Sequence, residues 1–456
     1  MRTGIHRWYT AAATGALLTL SVASPQTSTV AAASPGENIA AQWDSIAVNT
    51  VVSSGTFQNE GTVYMAYVTA AMYDAAVAID GRYVPYAAPL AAPAGASSDA
   101  AVVEAARVTL DYYLPAKATT VDALAATSLA AIPDGTPKTD GAGVGHAAAE
   151  GVIAARTGDG RLTPIGVTSA FPTLAPAPGV WRLTPPAFAR PQTPWMATMR
   201  PLVLDRPDRF RPDGPPPLTS PDWVAAFNEI KAVGAANSTV RTPEQTATAY
   251  FWSANGIRQW NRTARDLADS RHLDLVSSAR LFAMVDVVGA DAAIAVMNEK
   301  YHFLFWRPVT AIDPTAVSND GFGPVPGFDD GDPLTVEQTG WRPLLTTPNH
   351  PEYPAAHGTV TSAMAEVFTQ FLGTREINLT IHGFDQAGAP GNFDAVRTFA
   401  SPTDLREQIV DARLWAGLHY RFSTEAGVDL GRSVAKYDLR HAFLPVDDAT
   451  ARAGSD

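Results

Sequence analysis

The chain has 456 residues, 46% of them hydrophobic and 17% charged, and 45 acids against 33 Lys plus Arg leave a net charge of −12. That balance gives ample material for a packed core, excludes a disordered chain and argues against a broad surface for nucleic acid or an anionic membrane. There are no cysteines, so disulfides, thiolate metal sites and thiol nucleophiles are excluded.

Residues 1–33 look like an address. Arg2, His6 and Arg7 precede a mostly apolar stretch from Trp8 to Ala23, and Ala31-Ala32-Ala33 offers small residues for a signal peptidase. The apolar run is shorter than the roughly 20 residues of a spanning helix, so the expectation is export with cleavage near Ala33. No later segment reads as a good span; the best, Leu281 to Met297, carries Asp286 and Asp291.

Residues 34–163 read as an N-terminal helical region. Val63, Tyr67, Ala70, Tyr73 and Val77 follow three- and four-residue steps up to Gly81, and Val102–Leu110, Val121–Ala131 and Gly145–Ala155 are further helices. Residues 164–221 hold 15 of the 36 prolines, too many for a helix. They form an extended Pro-rich connector whose Phe171, Trp181, Phe188 and Trp195 should pack over the domain. Residues 222–456 form a C-terminal helical region. Ser220-Pro221 starts a helix through Trp223 to Val233, and Thr242 to Gln245 spells a capping box. A helical stretch covers Leu273 to about Trp306 with a break near Gly289. Val360, Ala363, Met364, Val367 and Phe371 form one stripe closed by Gly373, and Leu405–Leu418 is helical. Strand patterns are sparse, so the fold class is all-α, a helical-bundle globule.

Three basic clusters follow in the last third. In Lys300-Tyr-His-Phe-Leu-Phe-Trp-Arg307-Pro308 the seven-residue spacing puts Lys300 and Arg307 on nearly one helix face, and Pro308 places Arg307 at a helix end. The pair either holds one anion or is simply solvated. In Tyr353-Pro-Ala-Ala-His357-Gly-Thr359 a turn of small residues enters a helix, where backbone N–H groups at Ala356 and Gly358 suit an oxyanion. His357 there is either a general acid/base or a helix cap. In Arg413-Leu-Trp-Ala-Gly-Leu-His419, Gly417 offers the break that turns His419 back toward Arg413; otherwise both belong to one amphipathic helix. Together the clusters supply three cations, backbone donors and two histidines, a kit for a tetrahedral oxyanion. Weaker signals are Asp329-Asp330-Gly331-Asp332, a Ca²⁺ loop or a polar turn; His350 with His357, a zinc pair disfavoured by its basic neighbours; and His302 with Trp306, lining the site or packing the core.

The order Lys-x6-Arg-Pro, Pro-x-x-His, Arg-x5-His over Lys300 to Ser423 resembles the vanadium-dependent haloperoxidases and the wider phosphatidic acid phosphatase type 2 superfamily. The resemblance implies vanadate as cofactor, held by Lys300, Arg307, Arg413 and the backbone at Ala356 and Gly358. It also implies His419 as axial ligand to the metal and His357 as proton shuttle. Hydrogen peroxide, a halide and a small organic molecule would be the reactants, and the absence of cysteine suits a peroxide-handling enzyme. Oligomeric state stays open, a homodimer included. A secreted acid phosphatase with His419 as nucleophile is the alternative, and a non-catalytic anion-binding protein the third. The turn departs from the family's Pro-Ser-Gly-His by Ala355 and Ala356. Ser423 stands where the family has an Asp that orients the axial imidazole, with Asp411, Glu425 or Asp429 as substitutes.

Overall fold

Apolar surface on almost every side of one segment decides the architecture. In the computed structural model, which describes residues 38–163, 177–317, 330–384 and 395–447, that segment is the helix Leu275–Phe303, buried along nearly its whole length. In chain order the helices are α1 (Ile39–Val52), α2 (Gln58–Asp80), α3 (Ser98–Tyr113), α4 (Ala118–Ala130), α5 (Thr136–Arg156), α6 (Pro221–Val233), α7 (Pro243–Phe251), α8 (Gly256–Ser270), α9 (Leu275–Phe303), α10 (Pro308–Ile312), α11 (Ala356–Leu372), α12 (Pro402–Trp415) and α13 (Arg421–His441). Strands β1 (Leu379–His382) and β2 (Val396–Phe399) pair antiparallel, Leu379 opposite Phe399. The all-α expectation holds apart from this hairpin.

Local signals act where expected. The Ser220 side chain accepts from the Trp223 N–H at the start of α6, and Thr242 with Gln245 forms a reciprocal capping box at α7. Gly81 and Gly373 end α2 and α11 in left-handed conformation. Gly289 does not break α9: a Cβ there would meet the Met364 methyl at 3.5 Å, so the position packs against α11 and tertiary contact overrides the low helix propensity of glycine. α2 and α9 are both long and apolar enough to cross a membrane by length and composition, α2 unforeseen, but most of each is buried within the protein.

α2, the other helix from the N-terminal part, lies along α9, so N- and C-terminal helices share one core. Of the Pro-rich stretch, the residues from 177 onward run over that core with Trp181 and Trp195 buried in it; Phe171 lies outside the described residues, as does the expected signal peptide at 1–33. α11 and α13 cross in backbone contact. A Cβ at Gly431 would clash with the Thr359 carbonyl oxygen, one at Gly427 would fall 2.5 Å from that of Ala355, and one at Gly358 would fall 2.7 Å from that of Thr424. This crossing fixes the start of α11 beside the start of α13.

Candidate active site

α9 ends at Phe303 because Leu304 turns left-handed, with φ 49°, and the chain then runs irregularly to Pro308, the first residue of α10. Lys300 and Arg307 therefore do not share a helix face as the spacing suggested. Both are fully buried and both grip the segment 350–352 from different elements. Lys300 Nζ donates to the carbonyls of Pro351 (3.0 Å) and Glu352 (2.8 Å). Arg307 Nε donates to the His350 carbonyl at 2.9 Å, and Nη1 to the Leu418 carbonyl at 3.0 Å.

The same guanidinium sets one imidazole tautomer. Arg307 Nη1 lies 3.1 Å from His419 Nε2, and Nη2 lies 3.0 Å from His350 Nδ1, which also lies 3.1 Å from the Pro351 carbonyl oxygen. A guanidinium only donates, so His419 Nε2 accepts. The His419 proton is then on Nδ1, which donates to Glu352 Oε1 at 2.9 Å. A buried carboxylate thus orients this imidazole, and it is Glu352, not Asp411, Glu425 or Asp429. Asp411 is engaged by Arg421 at 2.9 Å, and neither Glu425 nor Asp429 is among the partners of His419. Burial pushes the Glu352 carboxyl up to about 7, against the pull of Lys300 and Arg307.

Gly417, with φ 76°, stops α12 at Trp415 and not at Leu418. The short link that follows carries His419 back, so that Arg413 and His419 border one cavity. Arg413 is buried, donates from Nη1 to the Trp252 carbonyl at 3.3 Å, and has no partner for Nε among the described residues. Ala356 and His357 begin α11, and no side chain caps that helix. His357 is therefore not a cap: it lines the cavity with Ala356, His350, Arg413 and His419. Gly358 faces α13, and its small size serves helix packing.

The cavity has an interior volume of about 80 Å³ and is completed by Trp252, Trp260, Met297 and Met364, among others. A neighbouring cleft shares Gln58, Asn59, Pro348, His350 and His357 with it. Lys300 and Arg307 sit one layer behind the wall. His302 is exposed, and Trp306 stacks on Trp223 at 5.7 Å, so neither belongs to the site. His350 belongs to it as a partner of Arg307, and no cluster of metal-binding side chains occurs among the described residues. Asp330 accepts from Asp332 N–H, the Thr335 hydroxyl and the Trp223 indole, the pattern of a polar turn; Asp329 lies outside the described residues.

Electrostatics follow from three buried cations facing one buried carboxylate. Burial lowers Arg307 to about 10. Burial, then Arg307, lowers Arg413 to about 9. Burial, then Arg307 and Arg413 against the pull of Glu352, holds Lys300 well below its ordinary value. His350, His357 and His419 are likewise held well below 6.5, by burial first and the cations second. Such a site favours a small anion and keeps its imidazoles neutral without one. Replacing Arg413 by Met should therefore stabilise the ligand-free protein, by up to about 1–4 kcal/mol on the precedent of buried charges exchanged for apolar groups. Phosphate is expected to raise the melting temperature of the wild type by binding the folded state, and the same change should abolish that rise. Thermal unfolding with and without phosphate reads both effects.

Comparison with known proteins gives three findings. Residues 280–447 match the VCPO second helical-bundle domain. Over 280 residues the chain is 27% identical to the vanadium chloroperoxidase of Curvularia inaequalis, a match spanning 49% of this chain and 44% of that protein, so less than half of the relative's length is covered. Among solved structures, a bacterial vanadium-dependent iodoperoxidase superposes with TM-score 0.70 at 21% identity, covering 89% of this chain and 97% of its own. The apo form of a bacterial vanadium-dependent chloroperoxidase gives TM-score 0.65 at 17% identity, covering 83% and 94%. The two structural likenesses show a common fold.

Proposed function

From the premise that the C-terminal helical bundle of this chain belongs to the vanadium haloperoxidase family, we propose that the protein is an exported vanadate-dependent haloperoxidase. The observation that carries the reading is the surplus of buried positive charge around the His419 Nε2 lone pair, with Arg413 Nε unpartnered at the same cavity. Orphaned donors, an uncapped helix start and neutral imidazoles fit a tetrahedral oxyanion.

Vanadate, when bound, would supply the activation of hydrogen peroxide toward two-electron oxidation of a halide. The chain's own residues supply placement and charge. His419 would hold the group through Nε2, with Glu352 keeping the proton on Nδ1. Arg413 and the N–H groups at the start of α11 would help hold it by hydrogen bonds. Lys300 has one ammonium proton beyond its two carbonyl bonds. Through that proton and the positive field of Arg307, the layer behind the wall compensates the anion's charge. His357, neutral and at the cavity, can take up and return a proton. The net change, halide plus peroxide plus one proton giving hypohalous acid and water, needs such a group. Ala355 brings no hydroxyl to the oxyanion, which forgoes one hydrogen bond of about 0.5–1.5 kcal/mol.

The test uses protein recovered from the culture medium, expected to begin at Ser34. Loaded with vanadate, it should brominate an added acceptor only when bromide and peroxide are both present. Turnover of phosphate esters that vanadate inhibits, with no halogenation, would replace this reading by the acid phosphatase one.

A further inference from the structure

A second concentration of positive charge lies far from the oxyanion site. Between the segment 205–210 and the C-terminal half of α13 runs a surface groove of about 460 Å³, a size that suits a small organic ligand. Its lining carries Arg209, Lys436, Arg440 and His441 and no acid, in a chain of net charge −12. Cations near the end of α13 complement the negative pole of that helix, which explains the presence of Lys436, Arg440 and His441 but not the arrival of Arg209 from another segment. Lys436 and Arg440 stand one turn apart on α13, where like charges repel. Lys436 has no hydrogen-bond or ion-pair partner among the described residues.

The floor of the groove is aromatic and rigid. Phe210 and Tyr437 pack against the main core and meet edge to face at 6.3 Å. The Arg209 guanidinium lies 4.5 Å from the centre of the Tyr437 ring, held there by Asp205, which accepts from its Nη1 at 2.5 Å. The His441 ring stacks on Tyr437 at 4.0 Å, with 22° between the planes. Its Nδ1 donates to the Tyr437 carbonyl at 2.7 Å, which fixes the ring. Planar groups already held in place let a planar ligand stack with little further ordering.

The two features select one chemistry. Cations without an acid among them take an anion, and the stack takes a flat apolar body. An ammonium and a guanidinium fork suit a carboxylate. We propose that this groove binds an aromatic carboxylate, its ring against the stack of His441, Tyr437 and Arg209 and its carboxylate on Lys436 and Arg440. The groove lies roughly 20–30 Å along α13 from the helix start beside His419, at 1.5 Å per residue. The ligand therefore does not reach the oxyanion cavity, and its binding is independent of the haloperoxidase reading.

The experiment is calorimetric titration of the vanadate-free protein at neutral pH with 2-naphthoate and with 2-naphthamide, which have the same shape and differ in charge. The proposal expects 2-naphthoate to bind about tenfold more tightly, the effect of one charge-assisted hydrogen bond. Lys436→Glu, a reversal of charge at a partly exposed helix position, should erase that preference, and Arg413→Met, at the oxyanion cavity, should preserve it. Equal affinities of the wild type for the two compounds overturn the proposal whether or not either variant folds. A preference that survives Lys436→Glu, or that disappears in Arg413→Met, puts the carboxylate elsewhere and overturns it too. Halide and peroxide are absent throughout, so a failure here leaves the haloperoxidase reading standing, and a failure of that reading leaves the groove untouched.

Discussion

His419→Ala is expected to weaken vanadate binding by more than the roughly 10–100-fold typical of losing an outer-layer partner, and to bring halide oxidation to background. The reasoning runs from backbone to lone pair. Gly417 ends α12, so His419 lies in a link and reaches the cavity beside Arg413. Glu352 takes the Nδ1 proton, so the lone pair is on Nε2, where Arg307 Nη1 currently bonds it. Burial and three cations hold the ring's pKa well below 6.5, so this lone pair remains available in mildly acidic solution. The wild type should therefore keep its vanadate affinity as pH falls from 7 through 6.5, and only at lower pH should protonation compete. Calorimetric titration with orthovanadate over that range measures it. His302→Ala, at an exposed residue outside the cavity, is the control expected to change nothing.

Glu352→Ala has the second-largest expected effect. It leaves Lys300, Arg307 and Arg413 without their buried counter-charge and the His419 Nδ1 proton without an acceptor. Removing one partner of a buried charged set costs about 3–5 kcal/mol, and the urea midpoint should fall accordingly with the slope unchanged. Glu352→Gln keeps an acceptor for His419 and isolates the charge. In the wild type burial pushes the Glu352 carboxyl up to about 7, above its ordinary 4.5. Its contribution to stability is thus full below 4.5 and is lost as pH rises through 7. The depressed histidines act oppositely: their contribution is full above 6.5 and is lost as pH falls. The two trends oppose each other between 6.5 and 4.5. Glu352→Gln removes the Glu352 trend, while the histidine trend and the raised carboxyls of Asp74 and Asp291 are common to both proteins, so stability should fall more steeply on acidification than in the wild type. Urea midpoints at pH 7, 6 and 5 check the sign.

Both effects show what the sequence could and could not disclose. The three basic clusters were legible because each is local: Pro308 sets a boundary, the small residues of 354–358 sit before an apolar stripe, and Gly417 interrupts a helix. Their convergence needed the resemblance, because the contacts joining α9, the 350–352 segment and the α12–α13 link cross about 50 to 110 residues of chain. Glu352 was missed because it lies in the proline-flanked run Pro351-Glu-Tyr-Pro354, where no periodicity marks a face. An acid inside that otherwise apolar turn was the signal available. Asp411 was a reasonable guess by proximity in sequence, yet α12 directs it to Arg421. The sequence marks Gly358 as a backbone donor to an anion, but the crossing of α11 and α13 also needs its small size for packing, a demand visible only once the helices meet.

The central claim is that Lys300, Arg307 and Arg413, scattered in an acidic chain, serve one oxyanion site centred on His419. A crystal of the protein soaked in orthovanadate tests it most directly. The account predicts tetrahedral or five-coordinate density joined to His419 Nε2, with Arg413 and the α11 N-terminus on its oxygens and Arg307 withdrawn from the imidazole. Vanadate bound in the cavity but not joined to His419, or bound only elsewhere, would contradict it.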